Sequence, residues 1–200
     1  MNPPKLTNFA YRKKVLPDLT NEKGVYALCD LNEVPIYVGQ STKGIRERVQ
    51  RHLTSARSDI IANRQIDLWE IAYVKAWPVA DPAQISTLEA LLFNAFNAQK
   101  TLMNGSILRL SEPLPETLPI PAQILQVMAD EDIRVRLEPA LRLPRQIEHI
   151  GRLVDHILNV KDSRQLRHSL SAHFSRLEIY RAAFLGAGAP VVRNPGETDD

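Results

Sequence analysis

Five side chains in the first half of the chain have the types and spacing for acid–base and anion chemistry: Tyr26, Tyr37, Arg48, His52 and Glu89. Phenols can position water, a guanidinium forks onto an anion, an imidazole takes up a proton near neutrality, and a carboxylate holds a hard cation. Glu89 stands out. On a helix it shares its face with Ile85, Leu92, Phe93 and Phe96, where a carboxylate is costly unless paired or metal-bound. An ion pair with Arg48 is the alternative, and the two are compatible. Arg48 and His52 sit at helical spacing on one face. At 100° per residue, His52 falls within about 20° of Ile45 and Arg48 within about 60°, so His52 lies in the apolar stripe and Arg48 borders it. An arginine leaning toward a core needs an anion, whether a phosphate or a carboxylate. His52 by itself would read as a core histidine.

The elements that must position these groups are legible in the pattern. Gly24–Asp30 (GVYALCD) reads as a strand and Pro35–Gln40 (PIYVGQ) as its hairpin partner. Direct pairing of Tyr26 with Tyr37 would send both rings off one face. As a bland alternative, they are an aromatic pair that stabilises the hairpin. Gly39 marks either a close backbone approach to a substrate or a plain strand end. A helix is expected over Gly44–Arg57, with Ile45, Val49, Leu53 and Ala56 inward, and a third strand over Leu68–Ala76. Asp81-Pro82 reads as the start of a helix running to about Lys100. Ile107–Leu110 could add a short strand. Four prolines between Ser111 and Pro121 suggest a linker or surface strap over 111–144. Beyond it, helices are expected over Arg145–Val160, after Pro144, and over Ser163–Leu185, with a disordered tail at 187–200. His149, His156, His168 and His173 form no tight ligand set and read as structural or surface residues.

Composition narrows the partners. The formal charge of the 200 residues is only +2. Residues 1–110 carry 14 Lys and Arg against 10 Asp and Glu, and residues 111–200 carry 11 against 13. Lys43, Arg46, Arg48, Arg51, Arg57 and Arg64 face only Glu47 and Asp59 in their stretch. Such a stripe suits a phosphate backbone, although a solvated helix face would look similar. Cys29 is the single cysteine, which excludes an internal disulfide and a thiolate zinc site. No apolar run approaches the roughly 18 to 20 residues of a membrane span, and the basic start lacks the apolar core of a secretory signal. The cytoplasm is the expected compartment.

The ordered series Gly24-Val25-Tyr26, Tyr37-Val38-Gly39, Arg48, His52, Glu89 and Asn104 resembles the GIY-YIG nuclease superfamily over roughly residues 22–106. Valines replace the isoleucines of both triplets. Gln40 stands where many members have a lysine, which Lys43 or Arg46 could replace, and Asn104 lacks the proline-containing run that often precedes it. The resemblance implies an α/β (α+β) domain, a small three-stranded mixed sheet flanked by helices, over 1–110. It implies that one tyrosine hydroxyl contacts the attacking water and the other the phosphate; Tyr26 is the favoured water positioner. It implies Glu89 as the sole protein ligand of Mg²⁺ or Mn²⁺, with Gly39 and Asn104 toward the substrate, and Lys43, Arg46 and Arg51 of the basic stripe are added as candidate substrate contacts. The expected activity is metal-dependent hydrolysis of phosphodiester bonds, with DNA ahead of RNA. A non-catalytic nucleic-acid-binding module or an RNA-directed nuclease or toxin are the alternatives. The helices at 145–185 would pack on this domain or mediate a homodimer, which would suit cutting both strands.

Overall fold

The run VYALC makes β1 (Gly24–Cys29) the centre of the sheet, buried along its whole length. The computed structural model describes residues 8–55, 58–104, 108–110 and 113–186. Four antiparallel strands run in the order β2-β1-β3-β4: β2 is Pro35–Ser41, β3 Tyr73–Pro78 and β4 Gln123–Gln126. The three-stranded mixed sheet expected from sequence is thus corrected to four antiparallel strands. The extra strand lies in the stretch read as a proline-rich strap. It is a short edge strand with little burial of its own; Gln123 fixes its start, accepting from Thr20 N and donating to Asp18 O. The third strand begins later than expected, because Asp67 folds Leu68–Glu70 into a turn by accepting from Trp69 N.

Both faces of the sheet are covered. Tyr26, Leu28, Val74 and Ala76 pack on Ile45, Val49 and Leu53 of α2 (Ile45–Thr54) and on Ile60 of the short α3 (Asp59–Ala62). An unanticipated first helix, α1 (Asn8–Val15), lies beside α2, and its buried Arg12 donates to Leu68 O and Ile71 O. Val25, Ala27, Cys29 and Trp77 pack on Ile85, Leu92 and Phe93 of α4 (Ile85–Gln99). Asp81 accepts from Ala83 N, so the expected Asp-Pro start holds, with a short 3-10 turn before α4. Leu108–Leu110 form no strand, and Ile107 lies outside the described residues, as do Ala56, Arg57 and the tail from 187.

Three further helices follow: α5 (Asp130–Leu137), α6 (Pro139–Asn159) and α7 (Arg164–Phe184). The sequence reading missed α5, whose acidic first turn and basic last turn complement its dipole. It also began α6 too late. Pro144 lies inside the helix, where it withholds one backbone donor near the N-terminal end. The α6–α7 hairpin packs on the sheet domain through buried charges. Arg176 donates to Asp30 Oδ2 at 3.0 Å and to Pro35 O at 2.7 Å. Arg142 forks onto both oxygens of Glu70, at 3.1 and 2.7 Å, and Arg145 reaches Asp67 at 3.0 Å.

Candidate active site

The β1–β2 hairpin sets Tyr26 opposite Gly39 and Leu28 opposite Tyr37. The expected direct pairing of the tyrosines is therefore off by two residues. They share a face diagonally, with ring centroids 6.4 Å apart. Opposite Tyr26, a Cβ on Gly39 would lie 2.6 Å from the Tyr26 hydroxyl and 2.9 Å from Tyr37 Cε1. The glycine thus makes room for the two phenols. The close approach anticipated at Gly39 is to the protein's own rings.

Tyr26 is fully buried, and its hydroxyl lies 2.8 Å from His52 Nε2. His52 Nδ1 lies 2.6 Å from Ser58 Oγ. Ser58 and His52 are buried too. Burial and the nearby Arg48 cation push the His52 pKa down to about 4, so the ring is neutral at neutral pH and carries one N–H. Either tautomer leaves a continuous Tyr26–His52–Ser58 chain. Burial pushes the Tyr26 phenol above its ordinary pKa, with Tyr37 adding to the shift and Arg48 opposing it. Tyr37 is shifted the same way by burial, with Arg48 again opposing and the Tyr26 hydroxyl as a hydrogen-bond neighbour.

Tyr37, Arg48, His52 and Glu89 converge on one cleft of about 680 Å³, joined by Arg51 and Asn104. Tyr26, fully buried beside Tyr37, does not line it. Arg48 is half-buried, and its Nε is buried without a hydrogen-bond partner among the described residues, an unsatisfied donor on a side chain that lines the cleft. Glu89 is half-buried at the edge of the apolar face of α4, and burial raises its pKa while Arg48 opposes the rise. Among the described residues Glu89 forms no ion pair, so the pairing with Arg48 weighed above is not made. No group of three or more His, Cys, Asp or Glu is gathered for a metal among the described residues. A lone hard carboxylate still fits a Mg²⁺ or Mn²⁺ ion whose other ligands are water and substrate oxygens.

The remaining candidates divide. Lys43 lines a neighbouring groove of about 430 Å³ that shares Arg48 and Arg51 with the cleft. Arg46 is turned away, its Nε donating to Leu19 O at 2.6 Å. Asn104 is buried and spans the edge of β2, accepting from Val38 N at 3.0 Å and donating to Val38 O at 2.6 Å. Its side chain secures the strand that presents Tyr37. Sequence reasoning missed Ser58, which lies beyond the end of α2 and outside its periodicity, and missed Lys161 and Gln165, which reach the cleft from the other half of the chain.

The family model of the GIY-YIG catalytic domain matches residues 22–103. This segment is a GIY-YIG domain. It contains Tyr26, Tyr37, Arg48, His52 and Glu89 and ends one residue short of Asn104. A GIY-YIG domain implies nuclease-type activity, hence a nucleic-acid substrate. No curated protein and no solved structure matches the chain. Among the described residues no helix is long and apolar enough to cross a membrane.

Proposed function

We propose that the GIY-YIG domain is a metal-dependent endonuclease that hydrolyses phosphodiester bonds in DNA, in restriction or defence, repair or mobile-element biology. The observation that carries this reading is the convergence of Tyr37, Arg48, His52 and Glu89 on one cleft, with a buried guanidinium nitrogen left unpartnered. Arg48 takes the scissile phosphate through its free donors. Glu89 holds Mg²⁺ or Mn²⁺, which when bound offsets phosphate charge and acidifies water. Tyr37 faces the attacking water, and Tyr26 is the relay behind it rather than the residue that meets the water. As Tyr37 accepts a proton from the water, it passes its own to Tyr26, which passes its own to His52 Nε2. Ser58 holds the imidazole tautomer in which that nitrogen accepts. Burial is the larger cause of the low His52 pKa and the Arg48 charge the smaller; an anionic substrate at Arg48 offsets the second, so the relay gains some basicity when the site is filled.

The test is a cleavage panel on supercoiled plasmid, linear duplex, single-stranded DNA and RNA, with Mg²⁺, Mn²⁺ or EDTA. DNA should be cut with either metal and left intact in EDTA. Cutting confined to RNA would replace the DNA reading, and binding without cutting under every condition would make the domain a recognition module.

A further inference from the structure

The cleft has a second wall that the GIY-YIG domain does not supply. Lys161 and Gln165 line the cleft together with Arg48, Arg51 and Glu89. They come from the turn between α6 and α7 and from the first part of α7, far beyond residue 103, where the family match ends.

This turn is held firmly. The Lys161 backbone N–H bonds to His156 O at 2.9 Å, and Ser163 Oγ accepts from Leu166 N at 3.2 Å as the cap of α7. Further along α7, Ser169 donates to Met103 O at 3.0 Å, and His168 Nε2 lies 3.1 Å from Leu102 O. The wall is thus tied to the segment after α4 that leads to Asn104. The Lys161 side chain is exposed and makes no ion pair among the described residues. The adjacent acid, Asp162, is taken by Arg167. An ammonium with no ion pair among the described residues, on a fixed turn and lining one cleft with two arginines, is an arrangement for a chain of phosphates rather than a single one.

We propose that the tip of the α6–α7 hairpin is a nucleic-acid-binding wall of the cleft, in which Lys161 binds a backbone phosphate of the strand lying beside the scissile one. The inference rests on the nuclease reading above. It gives the C-terminal region, net acidic by composition, a direct part in holding substrate. Arg181, in the last turn of α7, is the control. At 1.5 Å per residue it lies tens of ångströms along the helix from this tip.

The test measures binding of a labelled duplex oligonucleotide and of its labelled single strand by fluorescence anisotropy in EDTA, over a range of salt, for wild type, Lys161→Ala, Lys161→Arg and Arg181→Ala. Lys161→Ala should weaken binding about threefold or more and reduce the salt-dependence slope by about 0.9 on duplex or about 0.7 on single strand. Lys161→Arg should restore both, and Arg181→Ala should match wild type. If wild type binds and Lys161→Ala binds equally with an unchanged slope, the inference is overturned while the nuclease reading stands. If wild type binds neither probe, both fall. If Lys161→Ala and Arg181→Ala weaken binding alike, the effect is net charge and the wall is refuted.

Discussion

At the scale of single residues, the site is built from groups that burial has shifted away from their ordinary chemistry. The types were legible in sequence: Glu89 on an apolar helical face and Arg48 beside His52 announced themselves by spacing. Their partners were not. Ser58 reaches His52 across a break in the helix that no periodicity spans, and the role of Gly39 depends on a cross-strand register that two triplets do not fix. Gly39→Ala would drive a methyl group into the Tyr26 and Tyr37 rings. It should cost about 1–3 kcal/mol, read as a lower urea midpoint, along with lost cleavage. Ser58→Ala keeps the volume nearly unchanged but frees the His52 tautomer. It should lower the cleavage rate about tenfold and shift the pH–rate profile, with Ser58→Thr recovering the profile. An unchanged profile in Ser58→Ala would remove Ser58 from the relay.

At the scale of elements, the hairpin, α2 and α4 follow from apolar periodicity, and their charged or polar exceptions mark the cleft. What escaped the sequence were elements set by distant contacts. β4 pairs only because β3 offers an edge and Gln123 ties it to the segment at Asp18 and Thr20. The turn at Leu68 replaces the start of a strand because Asp67 and Arg12 supply its hydrogen bonds. Three histidines sit where elements meet. His52 links α2 to Ser58, and His149 of α6 and His173 of α7 lie with ring centroids 4.8 Å apart, tilted by 50°, and face the Arg64 and Gln65 carbonyls. Asp67 and Arg145 also face His149, and His149 and Arg176 face His173. Burial lowers all three, His52 to about 4 and His173 to about 3. The unfolded chain therefore binds more protons than the fold as the pH drops below the ordinary histidine range. Stability is fully present above about pH 6.5 and is lost as pH falls toward 4. Thermal melts across that window should show the decline, and His173→Asn should flatten it. A melting temperature independent of pH there would contradict the buried, neutral assignment.

At the scale of the whole molecule, the second half of the chain was the least legible from sequence and turns out to complete both the sheet and the cleft. Its two long helices, α6 and α7, were visible as amphipathic stretches, and α5 was not. Their docking was not legible, because it runs through long-range charge pairs that apolar periodicity does not mark: Arg176 with Asp30, Arg142 with Glu70, Arg145 with Asp67. Removing one member of such a pair leaves a buried charge uncompensated. Arg176→Met should destabilise the protein by about 3 kcal/mol in urea; Asp30→Asn added to it should recover part of the loss. Additive losses would show that Asp30 and Arg176 are not coupled. The whole account depends on Glu89, a carboxylate that lines the cleft and forms no ion pair among the described residues. Its most direct test is the initial rate of plasmid cleavage with Mg²⁺ or Mn²⁺ by wild type and Glu89→Ala, each shown to be folded by circular dichroism. A fall of at least about a hundredfold in Glu89→Ala is predicted. Equal rates would contradict the assignment of this cleft as the catalytic site.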